Sequence, residues 1–161
     1  MARTAEMTRD KNRTPMQWTS HPNAGFSPME VSTWLPVNPN YKNGINVRDQ
    51  EQNPSSLLHY YKHLLRVRKS SSALKEGEYI PLHTEQKDYF AFVRQADKQS
   101  VLVILNFSKN HLELNFSTTK EVGGSNLKTL FSSAERRIEE ISSTLKLNPF
   151  EVFIAEVVHS K

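Results

Sequence analysis

Residues Tyr89 to Phe107 read YFAFVRQADKQSVLVILNF. Aromatic and β-branched residues fill two runs, Tyr89 to Arg94 and Val101 to Phe107, and the polar stretch Gln95 to Gln99 separates them. That is the pattern of two strands and a turn. The same period of two extends outward to Glu78–Leu82, Leu112–Phe116 and Glu151–Val158. It is weaker at Lys128–Phe131 and Thr144–Leu147. Gly123 and Gly124 mark a further turn, while Ala134 to Ile141 reads equally as a helical turn or a loop. Several short strands with no helices between them predict an antiparallel β-sandwich or barrel. We assign it to residues 73–161.

Upstream the period changes. Asn53 suits an N-cap and Pro54 a first helical position. Leu57, Leu58, Tyr61, Leu64, Leu65 and Arg68 then recur on one face, which predicts a helix over Ser55 to Lys69. Its basic residues gather toward the C-terminal end, where the helix dipole favours them, and serines 70–72 end it. Residues 1–53 hold most of the Pro, Asn and Gly and show neither period. Turn chemistry at Asn23-Ala24-Gly25-Phe26 and Pro36-Val37-Asn38-Pro39-Asn40-Tyr41 predicts a long loop. The aromatics Trp18, Phe26, Trp34 and Tyr41 predict that it is ordered and anchored by them. A loop, a helix and a β domain are an odd autonomous unit. The helix's apolar face calls for cover beyond its own β domain, which implies an N-terminal partner.

The chain has 161 residues, 37% hydrophobic and 24% charged, which places it among globular proteins. Its 21 Lys and Arg exceed its 17 Asp and Glu by 4, without a basic run interleaved with aromatics, so no nucleic-acid footprint is present. Cysteine is absent, which excludes disulfides and thiolate metal sites but does not fix the compartment. No apolar run approaches a membrane span. The polar start, Met1 to Asp10, lacks a signal peptide's apolar core and reads as the interior of a larger protein. His59 and His63 sit at i and i+4, yet no Glu follows His59 and no third ligand is evident. A solvated helix face is the favoured reading, and no metal or cofactor is expected.

The decisive motif is Arg9-Asp10-Lys11-Asn12-Arg13-Thr14-Pro15-Met16-Gln17-Trp18. It resembles the RD-x-x-RTPMQW segment of the oligo-1,6-glucosidase and maltase branch of glycoside hydrolase family 13, the α-amylase clan. The resemblance continues through Asn23 to Ser27, Trp34 to Tyr41, Ile45-Asn46-Val47 and the helix ending Leu65-Arg66-Val67-Arg68-Lys69. Gly77-Glu78-Tyr79 and Leu147 to Glu151 are similar to the family's C-terminal domain. It implies a (β/α)8 barrel upstream, of which residues 1–72 are the loop after strand 8 and helix 8. It also implies that residues 1–53 wall a glucose pocket at the C-terminal ends of the barrel strands.

Family enzymes retain anomeric configuration, which needs two carboxylates about 5 Å apart. The resemblance puts those acids upstream, and neither Glu6 nor Asp10 lies in a family catalytic motif. The implied function is the C-terminal part of a retaining α-glucosidase acting on maltose- or isomaltose-type oligosaccharides, with no catalytic residue of its own. Arg13 is the leading substrate-binding candidate: the family's matching arginine closes the glucose pocket and pairs with an aspartate on an early strand. A guanidinium can hold a carboxylate and sugar hydroxyls together. Gln17, Trp18 and Phe26 are secondary candidates, for which loop stabilisation is the competing reading, as it is for Trp34. Arg9 and Asp10 are read as pairing or capping. Thr19 stands where the family commonly has aspartate, which removes a loop hydrogen bond.

Two other readings remain open from sequence. One is a non-catalytic relative, such as the heavy subunits of amino-acid transporters; the other is a free-standing sugar-binding module. The family alternatives also leave the compartment open, cytoplasmic if bacterial-type and secreted if insect-maltase-type. Three glycosylation triplets, Asn12-Arg13-Thr14, Asn106-Phe107-Ser108 and Asn115-Phe116-Ser117, would matter only on a secretory route.

Overall fold

A computed structural model describes residues 13–134, 140–141 and 144–159. The chain forms two compact units that divide between His63 and Leu64.

In the first unit, residues 13–46 carry two short 3-10 turns, Pro22–Gly25 and Pro39–Asn43. A helix follows that the sequence reading missed, α1 (Val47–Gln52), capped by the Asn46 side chain on the Asp49 N–H. One apolar residue in six leaves no periodicity to read. The long helix, α2, spans Leu57–Ser70. Its expected cap at Asn53 falls one turn early. Asn53 ends α1, and its side chain accepts the Ser55 N–H at 3.0 Å in a local turn. Ser56 does the capping instead: its Oγ accepts the His59 N–H at 3.3 Å and donates to the Gln50 carbonyl at 2.7 Å. Leu57 and Tyr61 lie on an outward stripe of α2, Leu57 being 75% exposed.

The serines that end α2 also start another helix. Ser71 caps α3 (Ser72–Glu76) by accepting the Leu74 N–H at 3.1 Å. Gln99 fixes this cap to the sheet. Its Oε1 accepts from Ser71 Oγ at 2.8 Å and from the Ala73 N–H at 3.3 Å, while its Nε2 donates to Glu156 at 3.0 Å. Gly77 follows because any Cβ there would stand 2.5 Å from the Ala73 carbonyl oxygen.

Among the described residues, eight strands then make the C-terminal unit: β1 (Glu78–Leu82), β2 (Tyr89–Ala96), β3 (Gln99–Asn106), β4 (Leu112–Asn115), β5 (Ser125–Ser132), β6 (Glu140–Ile141), β7 (Thr144–Leu147) and β8 (Val152–His159). Six form an antiparallel sheet in the order β1-β2-β3-β8-β5-β6; β4 and β7 pair as a second, two-stranded sheet. The result is an unequal sandwich. Leu102, Ile104, Phe153 and Ala155 from the large sheet and Leu114, Phe116, Leu145 and Leu147 from the small-sheet side share one core. β5 runs longer than its weak pattern suggested because the polar Ser125 and Thr129 occupy inward positions. Most of Ala134–Ile141, left undecided by sequence, lies outside the described residues.

Central strand β3 buries both faces. Leu102 and Ile104 point to the core; on the other side Val103 joins Leu64, Val67, Leu74, Phe92 and Ile154 around a hollow of about 340 Å3. Tyr89 hydrogen-bonds through its hydroxyl to His83 Nδ1 at 2.7 Å, and partial burial raises its pKa above the ordinary phenol value.

The strand expected from Glu151 begins instead at Val152. Phe150 has a left-handed φ of 56°, and Glu151 turns its carboxylate inward, where it accepts from Ser132 Oγ at 2.7 Å and from the Asn148 N–H at 2.8 Å. The Glu151 carbonyl also accepts the Asn106 N–H at 2.9 Å. One residue therefore ties together the ends of β3, β5 and β7. Glu151→Ala should lower stability by about 2–4 kcal/mol, since each buried donor left unmatched costs roughly 1–3 kcal/mol. A denaturant titration checks this; an unchanged midpoint would refute the latch.

Candidate functional site

The site begins in a segment with almost no apolar interior. Such a loop must still satisfy its backbone polar groups, and side-chain amides do most of that here. Gln17 Nε2 donates to Asn40 Oδ1 at 2.9 Å and also to the Ile45 carbonyl oxygen. The carbonyls of Gln17 and Trp18 accept the first N–H groups of α1, from Val47 at 2.9 Å and Arg48 at 3.0 Å. The two ends of the loop are thereby closed on each other.

Asn23 secures the middle. Its amide reaches Ser27 Oγ and the carbonyls of Pro28 and Val31, the last two both at 2.8 Å. Three consecutive residues, Asn23, Ala24 and Gly25, adopt φ between 52° and 66°. Asn tolerates this region and Gly is at ease in it. Gly25 is doubly constrained, because a Cβ would stand 2.6 Å from Thr19 Oγ1. Thr19 Oγ1 also accepts the His21 N–H at 3.2 Å, so a hydroxyl makes a loop hydrogen bond at this position.

Asn46 is the buried tie. Its Nδ2 donates to the Tyr41 carbonyl at 2.8 Å and to Asp49 Oδ2 at 2.6 Å, and its Oδ1 accepts the Asp49 N–H at 2.9 Å. The organising residues Asn23, Asn40 and Asn46 were not among the sequence candidates. Their signal was read as turn chemistry and as part of the family resemblance, and the ties made by their side chains were not foreseen.

Among the candidates, Arg13 is exposed, with its guanidinium carbon 5.3 Å from the Trp34 ring centroid. Contacts of this kind are worth about 0.5–1 kcal/mol at exposed sites. Gln17 turns its side-chain amide N–H groups onto the loop, at Asn40 and Ile45. The aromatics depart from expectation. Trp18 and Phe26 are about half exposed and Trp34 is 74% exposed; of the four, only Tyr41 is buried. Amides rather than tryptophans anchor this loop within the chain. Met16, Met29 and Val31 are exposed beside them in sequence. Arg9 and Asp10 lie outside the described residues.

His59 Nε2 sits 3.0 Å from the Glu51 carbonyl oxygen, and among the described residues no group of three His, Asp or Glu converges as a metal site. Partial burial raises the pKa of Tyr60 on α2 above the ordinary phenol value. A separate hollow of about 600 Å3 runs along His111, Leu112, Glu113, Lys146, Leu147 and Asn148 in the C-terminal unit. The Lys146–Glu113 pair there, at 3.7 Å, is largely solvated and correspondingly weak. No helix among the described residues is long and apolar enough to cross a membrane.

Comparison with known proteins gives two family matches, Alpha amylase, catalytic domain over residues 1–77 and Maltogenic Amylase, C-terminal domain over residues 79–154. Probable oligo-1,6-glucosidase 2 of Bacillus subtilis (strain 168) is 35% identical over 144 residues, covering 89% of this chain and 24% of the relative. Glucan 1,6-alpha-glucosidase of Streptococcus dysgalactiae subsp. equisimilis is 34% identical, covering 98% and 27% respectively. Among solved structures, the trehalulose synthase MutB of Pseudomonas mesoacidophila MX-45 superposes with a TM-score of 0.79 at 30% identity, over 92% of this chain and 26% of that one. The chain thus spans about a quarter of the length of the curated relatives it matches.

Loop order through Asn46 has a direct readout. Asn46→Ala should speed hydrogen exchange at the Asp49 and Gln50 amides by about tenfold, which corresponds to the roughly 1.4 kcal/mol of a lost cap. Exchange at the wild-type rate would show that the amide ties are dispensable.

Proposed function

This chain belongs to glycoside hydrolase family 13, and from that premise we propose that it is part of a retaining α-glucosidase acting on terminal α-linked glucose of maltose- or isomaltose-type oligosaccharides. Residues 1–72 contribute the end of the catalytic barrel, the loop after its eighth strand and its eighth helix. Residues 73–161 contribute the C-terminal β domain. The observation that carries the reading is the RTPMQW segment, Arg13 to Trp18, held by amide ties while Arg13 stays exposed.

In this reading the loop is the chain's contribution to chemistry. The nucleophile and the general acid belong to the remainder of the barrel, and cleavage proceeds through their paired carboxylates. Arg13 acts by binding and orientation. A guanidinium at the closed end of a sugar pocket donates to hydroxyls of the non-reducing glucose and pairs with a carboxylate beside it. Its fixed fork selects one position of the ring, which keeps the anomeric carbon in front of the nucleophile. Trp18 and Phe26 offer apolar faces to the same ring, and Gln17 acts through the loop by holding Asn40 and Ile45. No metal or cofactor enters the proposal.

Arg13→Lys in the whole enzyme tests it. Losing a forked, charge-assisted contact costs about 1.5–3 kcal/mol, so kcat/KM should fall roughly 10- to 100-fold at 1.4 kcal/mol per decade. Thermal stability is followed in parallel, so that a fall in kcat/KM at an unchanged Tm reports binding and not folding. Unaltered kinetics would remove Arg13 from the pocket.

A further inference from the structure

The sequence carries the triplet Asn-Phe-Ser twice, at 106–108 and at 115–117. As acceptors of an N-linked glycan the two are indistinguishable by sequence. The fold sets them in opposite phase.

At the first, the asparagine faces inward and the phenylalanine outward: Asn106 is 3% exposed and Phe107 62%. Every hydrogen-bonding position of the Asn106 amide is used. Its Nδ2 donates to the carbonyls of Asn110 at 2.9 Å and Asn148 at 2.8 Å. Its Oδ1 accepts from the Ser108 N–H and the Ser108 hydroxyl, both at 2.8 Å. This side chain closes the junction of β3 with the β7–β8 turn. Glycosylation would remove one donor and force a sugar into a buried position, which the close-packed interior does not admit.

At the second, the alternation is reversed. Phe116 is fully buried, stacked on His83 with ring centroids 5.1 Å apart. Asn115 and Ser117 on either side of it are exposed, and Asn115 shares the outward face of β4 with exposed Glu113. Asn115 Oδ1 accepts the Ser117 N–H at 2.8 Å, which bends the triplet into a local turn and brings the asparagine and serine side chains to one side.

We propose that Asn115 is an acceptor for an N-linked glycan when this chain passes through a glycosylating secretory compartment, and that Asn106 is a structural residue whose triplet stays unmodified in the folded protein. The donor is an oligosaccharide carried on a lipid diphosphate. A bond forms between Asn115 Nδ2 and the sugar's C1, the C1–O bond to the diphosphate breaks, the amide gives up one proton, and the lipid diphosphate leaves with the electron pair. The inference is independent of the sugar-cleaving reading, because it uses only the surface of the β unit.

The full chain, translated behind a cleavable leader into glycosylating microsomes, should carry a glycan at Asn115 in its protease-resistant fraction, with Asn106 unoccupied. Ser117→Ala should abolish that glycan and leave resistance to protease intact. A second measurement needs no glycosylation machinery, since the chain has no cysteine of its own. Asn115→Cys should react with a bulky maleimide under native conditions with an unchanged Tm, while Asn106→Cys reacts only on unfolding. An unoccupied Asn115, a glycan on Asn106 in the resistant fraction, or native shielding of Asn115→Cys would each overturn the assignment.

Discussion

A backbone that leaves the regular ladders of helix and sheet must find partners for its N–H and C=O groups elsewhere, and that constraint governs residues 13–53. Gln17, Asn23 and Asn46 supply the partners from their side chains. Each carries two amide hydrogens and a carbonyl, so each can bridge two strands of loop at once. This permits an ordered loop with few buried side chains, among them Ala24, Leu35 and Tyr41. It also releases Arg13, Trp18, Phe26 and Trp34 from structural duty, and they stand outside. A surface that displays a guanidinium and aromatic faces is suited to a sugar ring, which has an apolar face and a rim of hydroxyls.

The β unit obeys a different economy. Its order comes from burial, with β3 covered on both sides and one core shared by two unequal sheets. Polar groups enter that interior only where they are matched. Glu151 is held by Ser132 and Asn148, Asn106 by Ser108, Asn110 and Asn148, and Gln99 by Ser71, Ala73 and Glu156. Such residues fix junctions more than they add net stability, since a hydrogen bond returns little over the same bond to water.

Much of this was legible. The alternation from Tyr89 to Phe107 marked β2 and β3, and Glu78–Leu82 and Thr144–Leu147 agree with β1 and β7 to the residue. The motif from Arg9 to Trp18 pointed to the family that the comparisons show. What escaped had local causes. α1 contains one apolar residue and therefore shows no face. Asn53 and Ser56 are both good caps, and only the Ser56 contacts to His59 and Gln50 separate them. The tryptophans were read as anchors because large aromatics are usually buried; here Trp18 and Trp34 stand exposed and the amide side chains hold the loop. The phases of Asn106 and Asn115 cannot be told from identical triplets, because inward or outward is decided by strand register.

We propose that this chain lends a wall to a pocket whose reactive acids lie in the remainder of a longer protein. Producing that remainder separately, mixing it with the purified 161-residue chain and measuring glucose release from maltose and isomaltose tests it most directly. The account predicts no release from either piece alone and release from the mixture. Glucose liberated by this chain by itself would contradict it.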